Sequence, residues 1–216
     1  MKNQQTQQEQ AWSGEHGDNY NVRNPHSASD LDNVYLENYG TTRQALNDEF
    51  LKVVPKNSRI LEVGCNVGSQ LHALQNIGFT SLVGVDINRQ ALEVSKKNLL
   101  GIDVMLASAF DLPFKDNYFD LVFTSGVLIH ISPKDIKQAI EEIVRCSKCY
   151  ILGFEYFNEQ HIEVPYRGKN NLLWKGDFAK LYLKEIPNLK LVKEKRLKYL
   201  TNDNIDTMFL LEKQSP

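Results

Sequence analysis

Between Arg59 and Tyr156 short apolar runs alternate with segments of helical periodicity, and this alternation confines the chain to the α/β class. RILEV, SLVGVD, DVMLA, FDLVFTS and CYILGFEYF read as strands. SQLHALQNIG reads as a helix closed by Gly78, and NRQALEVSKKNLL as one that stops before Gly101. SPKDIKQAIEEIVRC reads as a third helix, with Ser132 as N-cap and Pro133 at its first position. The strands are apolar throughout rather than at every second residue, which implies a parallel sheet buried on both faces.

The C-terminal third changes character. Residues 157–175 are irregular and aromatic, and GDFAKLYLKEI forms a short helix. The runs LKLVKEKRLKYL and DTMFLLEK, separated by TNDN, predict an antiparallel hairpin. The expected fold is therefore a Rossmann-like, doubly wound, mostly parallel seven-stranded sheet ending in a C-terminal antiparallel hairpin. No boundary interrupts residues 55–216.

Residues 29–54 carry Leu31, Val34, Tyr35, Tyr39, Leu46, Phe50 and Val53 at mostly helical spacing, with Ser29 or Asp30 as N-cap and Gly40 dividing two helices. Residues 1–28 are polar and read as a tail by composition. Trp12, Tyr20 and Arg23 are costly to leave idle there, so part of the segment is expected to fold back. Residues 1–54 are thus expected to form a helical lid on a single body.

Charge and cysteine usage exclude several classes. Lys plus Arg is 25 and Asp plus Glu is 27, a net charge of −2, which gives no electrostatic footprint for general nucleic-acid or membrane-surface binding. No apolar run is long enough to span a bilayer, and the first residues have no hydrophobic core of a signal peptide. Three cysteines, Cys65, Cys146 and Cys149, fit a reducing, cytoplasmic setting. Cys146 and Cys149 lack a second ligand pair for zinc and lie at a helix-to-strand junction, so no metal site is expected.

Three strand-end motifs carry chemistry. Leu61-Glu62-Val63-Gly64-Cys65-Asn66-Val67-Gly68 joins a strand to a helix, a turn that lets backbone approach a ligand. It is neither the dinucleotide fingerprint, because residue 66 is Asn, nor a phosphate loop, because no Gly-Lys-Ser/Thr follows. Asp86 ends the next strand, where a carboxylate can accept both hydroxyls of a ribose or cap the following helix. Ser108-Ala109-Phe110 follows the third strand and offers apolar walls and polar edges to an adenine. Together they describe a switch point that holds adenosine without a phosphate grip.

With ILEVGCNVGSQL, VGVDINRQAL, ASAFDLPFKDNYFDLV and SGVLIHISP in this order and spacing, residues 58–155 resemble the class I S-adenosylmethionine-dependent methyltransferases. Asn66-Val67 departs from the glycine-rich triplet of many members. The resemblance implies that Glu62, Gly64, Cys65, Asn66 and Gly68 hold the methionine end of S-adenosylmethionine. Asp86 and Ile87 would hold the ribose and adenine edge, and Ser108, Ala109 and Phe110 would line the ring. Ser125, Gly126 and Val127 would pass beneath the sulfonium. S-adenosylhomocysteine is the implied product.

Two further stretches, Thr6 to Asn24 and Val164 to Phe178, resemble the pseudaminic acid biosynthesis-associated methylases. Within them Tyr20, Arg23, Tyr166 and Arg167 suit a small hydroxylated or anionic substrate. His130 is the first candidate base for a hydroxyl acceptor and a second substrate contact, and Glu155 is the other catalytic candidate. The sequence thus predicts methyl transfer to an amine or hydroxyl of a small molecule. A nonulosonic-acid-type sugar, or an amino-sugar or amino-acid precursor, is the expected acceptor, without nucleic-acid or membrane partners. An RNA methyltransferase, or a non-catalytic cofactor-binding partner of another enzyme, is the alternative. Oligomeric state is not encoded in any feature of the chain.

Overall fold

The computed structural model describes residues 5–24 and 27–214. Four helices precede the first strand: α1 (Gln7–Ser13), α2 (Glu15–Asn21), α3 (Ala28–Tyr39) and α4 (Arg43–Phe50). A capping box starts α1: the Thr6 hydroxyl accepts from the Glu9 amide at 3.1 Å, and a Glu9 carboxylate oxygen accepts from the Thr6 amide at 2.8 Å. Gly40 ends α3 in the left-handed region, as expected of the residue that divides the two helices. The N-cap of α3 is Ser27 rather than Ser29 or Asp30: its hydroxyl accepts from the Asp30 amide at 3.1 Å. The N-terminal expectation also included residues 1–4 and 25–26, which lie outside the described residues.

The body follows as β1 (Arg59–Val63), α5 (Ser69–Asn76), β2 (Ser81–Asp86), α6 (Arg89–Asn98), β3 (Asp103–Leu106), β4 (Phe119–Ser125), α7 (Ile136–Cys146) and β5 (Ser147–Tyr156). Two short strands, β6 (Ile162–Glu163) and β7 (Trp174–Lys175), pair within the stretch read as irregular. Then come α8 (Phe178–Glu185), β8 (Leu189–Lys198) and β9 (Ile205–Lys213). The main sheet has seven strands in the order β3-β2-β1-β4-β5-β9-β8. The first five are parallel, and β9 runs antiparallel to both β5 and β8. This is the expected doubly wound sheet with its terminal hairpin.

Adjacent residues in each strand feed opposite layers. Ile60, Leu121, Leu152 and Leu210 pack toward α3, α4 and α5, while Leu61, Val122, Ile151 and Leu211 pack toward α7 and α8. That two-sided burial is why the strands read as unbroken apolar runs. α7 begins at Ile136, later than Ser132 and Pro133 suggested. The Ser132 carbonyl accepts from both Asp135 and Ile136, so residues 132–135 form a turn ahead of the helix. Among the described residues no helix is long and apolar enough to cross a membrane. The three cysteines are free thiols, with Cys65 and Cys146 buried.

Candidate functional site

A cavity of about 390 Å³ opens at the carboxyl ends of β1, β2, β4 and β5, within the size range of small-molecule sites. Its floor is the β1 turn. Gly64 has φ +77°, and a Cβ there would lie 2.4 Å from Val127 Cγ2, so only glycine lets this turn nest under the β4 turn. Asn66 is also left-handed, at φ 48°, a conformation asparagine tolerates. Its amide donates to Asp86 at 2.7 Å, and the Asn88 amide donates to the other Asp86 oxygen at 2.8 Å. Asp86 therefore ties the β1 and β2 turns together. It does not cap α6, a task that falls to Asn88, whose side chain accepts from the Ala91 amide at 2.7 Å.

Glu62 is 1% exposed, lines the cavity, and has one carboxylate oxygen buried without a partner. Burial pushes its pKa well above the usual carboxylate range, with Arg43 opposing. Burial also raises Asp86, against the amides that stabilise its charge. The remaining walls at this end include Ile87, Ala109 and Phe110, and among the described residues no lysine or arginine lines the cavity. An orphaned carboxylate suits an ammonium, Asp86 a ribose diol, and the apolar walls a flat base. The donor set thus fits S-adenosylmethionine and not a phosphorylated cofactor.

The N-terminal helices roof this end. Ser108 donates its hydroxyl to Glu9 of α1 at 2.7 Å, Asn88 donates to the Trp12 carbonyl at 3.0 Å, and Asn24 donates to the Asn66 side chain at 2.8 Å. The departure from the glycine-rich pattern at residue 66 therefore supplies a side chain that the N-terminal segment grips. The same segment meets the loop after β5. Gln8 donates to the Asn171 carbonyl at 2.9 Å, and the rings of Trp12 and His16 lie 6.3 and 5.7 Å from Tyr166. The two stretches outside the general family core are thus packed on one another above the cavity.

The other end is formed by residues absent from the sequence-derived site. Tyr35 and Tyr39 of α3, Phe154 and Tyr156 of β5, and Tyr199 and Asp206 of the terminal hairpin all line it. Leu31, Val34, Tyr35, Asn38 and Tyr39 line the cavity from one face of α3. Their spacing was legible but was consistent with an ordinary core stripe. Asp206 carried no local signal, because it reaches the cavity only through its register with Tyr156 across β5 and β9.

The predicted site residues divide into two groups. Tyr20, Glu62, Gly64, Cys65, Asn66, Asp86, Ile87, Ser108, Ala109, Phe110, Ser125, His130 and Tyr166 all line the cavity. His130 Nδ1 lies 2.6 Å from the Leu172 carbonyl, so in the neutral ring Nδ1 donates and Nε2 holds the lone pair. Burial lowers its pKa to about 4. Four residues lie elsewhere. Glu155 alternates with Phe154 and Tyr156 and so turns away from the cavity. It is buried and accepts from the amides of Val127 and Ile129 at 3.2 and 3.4 Å, bracing the turn after β4. Arg23 and Arg167 are exposed, Arg23 over Tyr20 at the end of α2 and Arg167 over its neighbour Tyr166. Gly68 packs against α6, where a Cβ would fall 2.4 Å from Leu99.

Residues 61–149 match the family profile described as a methyltransferase domain. A tRNA (carboxymethyluridine(34)-5-O)-methyltransferase of Arabidopsis thaliana is 33% identical over 100 residues, 46% of this chain and 24% of that protein. The chain spans about half or less of the length of the curated relatives it matches. An S-adenosylmethionine-dependent methyltransferase of Methanosarcina mazei superposes with TM-score 0.65 at 16% identity, covering 79% of this chain and 98% of that one. The 1,6-didemethyltoxoflavin-N1-methyltransferase of Burkholderia thailandensis, solved with bound 1,6-didemethyltoxoflavin and S-adenosylhomocysteine, gives TM-score 0.64 at 11% identity over 79% and 77% of the two chains. Residues 61–149 are therefore similar to a methyltransferase domain, in a chain with the fold of the class I S-adenosylmethionine-dependent methyltransferases.

Proposed function

We propose that the protein transfers a methyl group from S-adenosylmethionine to an amine or hydroxyl of a small molecule. The observation that carries this reading is the continuity of one roofed cavity, from Asp86 and Ser108 at one end to Tyr156 and Asp206 at the other. Bound there, the cofactor supplies an already activated methyl group. Glu62 would face its ammonium, Asp86 its ribose, and Ala109 and Phe110 its base. The residues around Ser125, Tyr20 and His130 would align the acceptor for in-line attack and keep water out. His130 Nε2 is the acceptor-facing lone pair available to take the proton that a hydroxyl must lose. Of the acceptors expected from the sequence, an amino-sugar precursor suits this site better than a nonulosonic acid or an amino acid, whose carboxylate would face the acidic lining. The packing of Trp12 on Tyr166 supports a functional lid over residues 1–54, and a cytoplasmic location fits the free thiols.

Relatives named as tRNA methyltransferases favour RNA as the alternative acceptor. Against it stand the net charge of −2 and a cavity lined, among the described residues, by no lysine or arginine. The deciding experiment is incorporation of labelled methyl from S-adenosylmethionine into nucleotide-sugar, amino-acid and RNA fractions of cell extract. Label in either small-molecule fraction is expected. Label confined to RNA overturns the acceptor class. Absence of both incorporation and a cofactor-induced rise in melting temperature overturns the enzyme reading.

A further inference from the structure

We propose that the acceptor carries a protonated amine, seated against Asp206 within a cage formed by Tyr35, Tyr39, Phe154, Tyr156 and Tyr199. This rests on the methyl-transfer reading above and adds to it the chemical class of the acceptor.

Asp206 is 1% exposed and lines the cavity. Tyr39 and Tyr199 both donate their hydroxyls to Oδ2, the latter at 3.0 Å. Oδ1 is buried with no hydrogen-bond partner among the described residues. A buried carboxylate oxygen without a donor is costly unless a ligand completes it. Aromatic rings cluster beside it. Tyr39 packs edge to face on Tyr35, Tyr199 and Phe154 at 5.3, 4.8 and 6.0 Å, which places ring surface next to Asp206 for a cation to meet.

Two protein cations already touch these rings: the Arg43 guanidinium lies 5.6 and 5.1 Å from the Tyr35 and Phe154 rings, and Lys175 Nζ lies 5.6 Å from Tyr156. Among the described residues neither forms an ion pair with Asp206: Arg43 donates to Tyr35 and Asn47 at 2.9 and 3.0 Å, and Lys175 bonds the Asn204 side chain. Among the described residues the charged side chains lining the cavity are Glu9, Glu62, Asp86 and Asp206, all acidic. A carboxylate on the acceptor would meet repulsion here, whereas an ammonium would meet an unpaired acceptor and ring faces. Burial raises Asp206 to about 6, which leaves it mostly ionised at neutral pH.

The test uses three six-membered-ring probes that differ in charge: cyclohexylamine, cyclohexanol and cyclohexanecarboxylate. Each is titrated by calorimetry into protein saturated with S-adenosylhomocysteine, after cofactor binding has been measured on the same sample. The amine is expected to bind about tenfold more tightly than the alcohol, with no binding of the carboxylate. Asp206→Asn should lose that preference while binding the alcohol as before. Tyr156→Leu, which keeps the carboxylate, should reduce the preference about threefold and serves if the first variant fails to fold. Equal binding of amine and alcohol, no amine binding, or an unchanged preference in either folded variant overturns the proposal. So does an Asp206→Asn variant that weakens S-adenosylmethionine but not the amine, since that would assign Asp206 to the sulfonium. Failure of the cofactor itself to bind would instead overturn the methyl-transfer reading.

Discussion

The side-chain amide of Asn24 donates to Asn66 Oδ1 at 2.8 Å, which fastens the N-terminal segment to the turn that follows β1. The same Asn66 gives its backbone amide to Asp86 at 2.7 Å. One residue therefore links the lid to the carboxylate assigned to the ribose. Replacing Asn66 with Gly preserves the left-handed turn and deletes only the side-chain link. Loss of hydrogen bonds worth about 1 kcal/mol each should weaken S-adenosylhomocysteine binding about fivefold or more. Limited proteolysis should then cut the segment before Asn24 faster than in the wild type. Unchanged affinity and cleavage would show that the lid is held without residue 66.

Gly17 offers a harsher test of the same segment. A Cβ there would stand 2.0 Å from the Trp12 carbonyl, which no rotamer adjustment relieves. Gly17→Ala should displace α1 from α2 and separate Trp12 from His130, whose rings are 4.2 Å apart. Trp12 fluorescence should shift toward the red, and cofactor affinity should fall about tenfold or more. Wild-type fluorescence together with wild-type affinity would contradict the packing.

At Asp86 a structural contribution coincides with the proposed ribose contact, and two variants separate them. Asp86→Ala strands the buried amides of Asn66 and Asn88, at a cost of about 1–3 kcal/mol each, and removes the ribose acceptor. It should melt lower and show no rise in melting temperature with S-adenosylmethionine. Asn88→Ala removes the cap of α6, costing about 1 kcal/mol, and the link to the Trp12 carbonyl, but leaves the carboxylate in place, and should keep more of the cofactor-induced rise than Asp86→Ala. Equal loss of the rise in both would mean that turn geometry, not the carboxylate, governs binding.

Burial raises Glu155 from 4.5 to about 7. A buried acid whose folded pKa is raised resists ionising, so its share of stability is present below pH 4.5 and is lost as pH climbs toward 7. At about 1.4 kcal/mol per pKa unit, the loss approaches about 3 kcal/mol. Glu155→Gln cannot ionise and should escape it. Unfolding free energies of the two proteins should diverge in favour of the variant between pH 4.5 and 8. A difference that stays constant across that range would show that Glu155 ionises freely when folded.

His130→Asn keeps a donor near the Nδ1 position for the Leu172 carbonyl and deletes Nε2. If Nε2 takes the acceptor proton, kcat should fall about a hundredfold with cofactor affinity unchanged. With burial lowering His130 to about 4, activity should also show no limb from this residue between pH 6 and 8. Turnover preserved in His130→Asn would reduce the ring to a packing partner of Trp12.

The sequence by itself determined the sheet and the proposed cofactor end. Both are written locally: each strand is a run such as RILEV or FDLVFTS, and each residue proposed to hold the cofactor lies within a few positions of a strand end. Glu62, Asp86, Ser108 and Phe110 were legible for that reason, and the structure places all four around one cavity. Strand parity decided Glu155 against Phe154 and Tyr156, and it depends on how β5 faces its neighbours. Arg23 and Arg167 were apt in chemistry but exposed in place, since a loop's side-chain direction is not written in its composition. The acceptor end exists only in three dimensions. Tyr39 and Asp206 are 167 positions apart, and their meeting requires α3 to dock above β5 while β9 inserts beside it. Contacts of that separation arise from the global packing of layers, whereas strands and turns arise from neighbours in the chain.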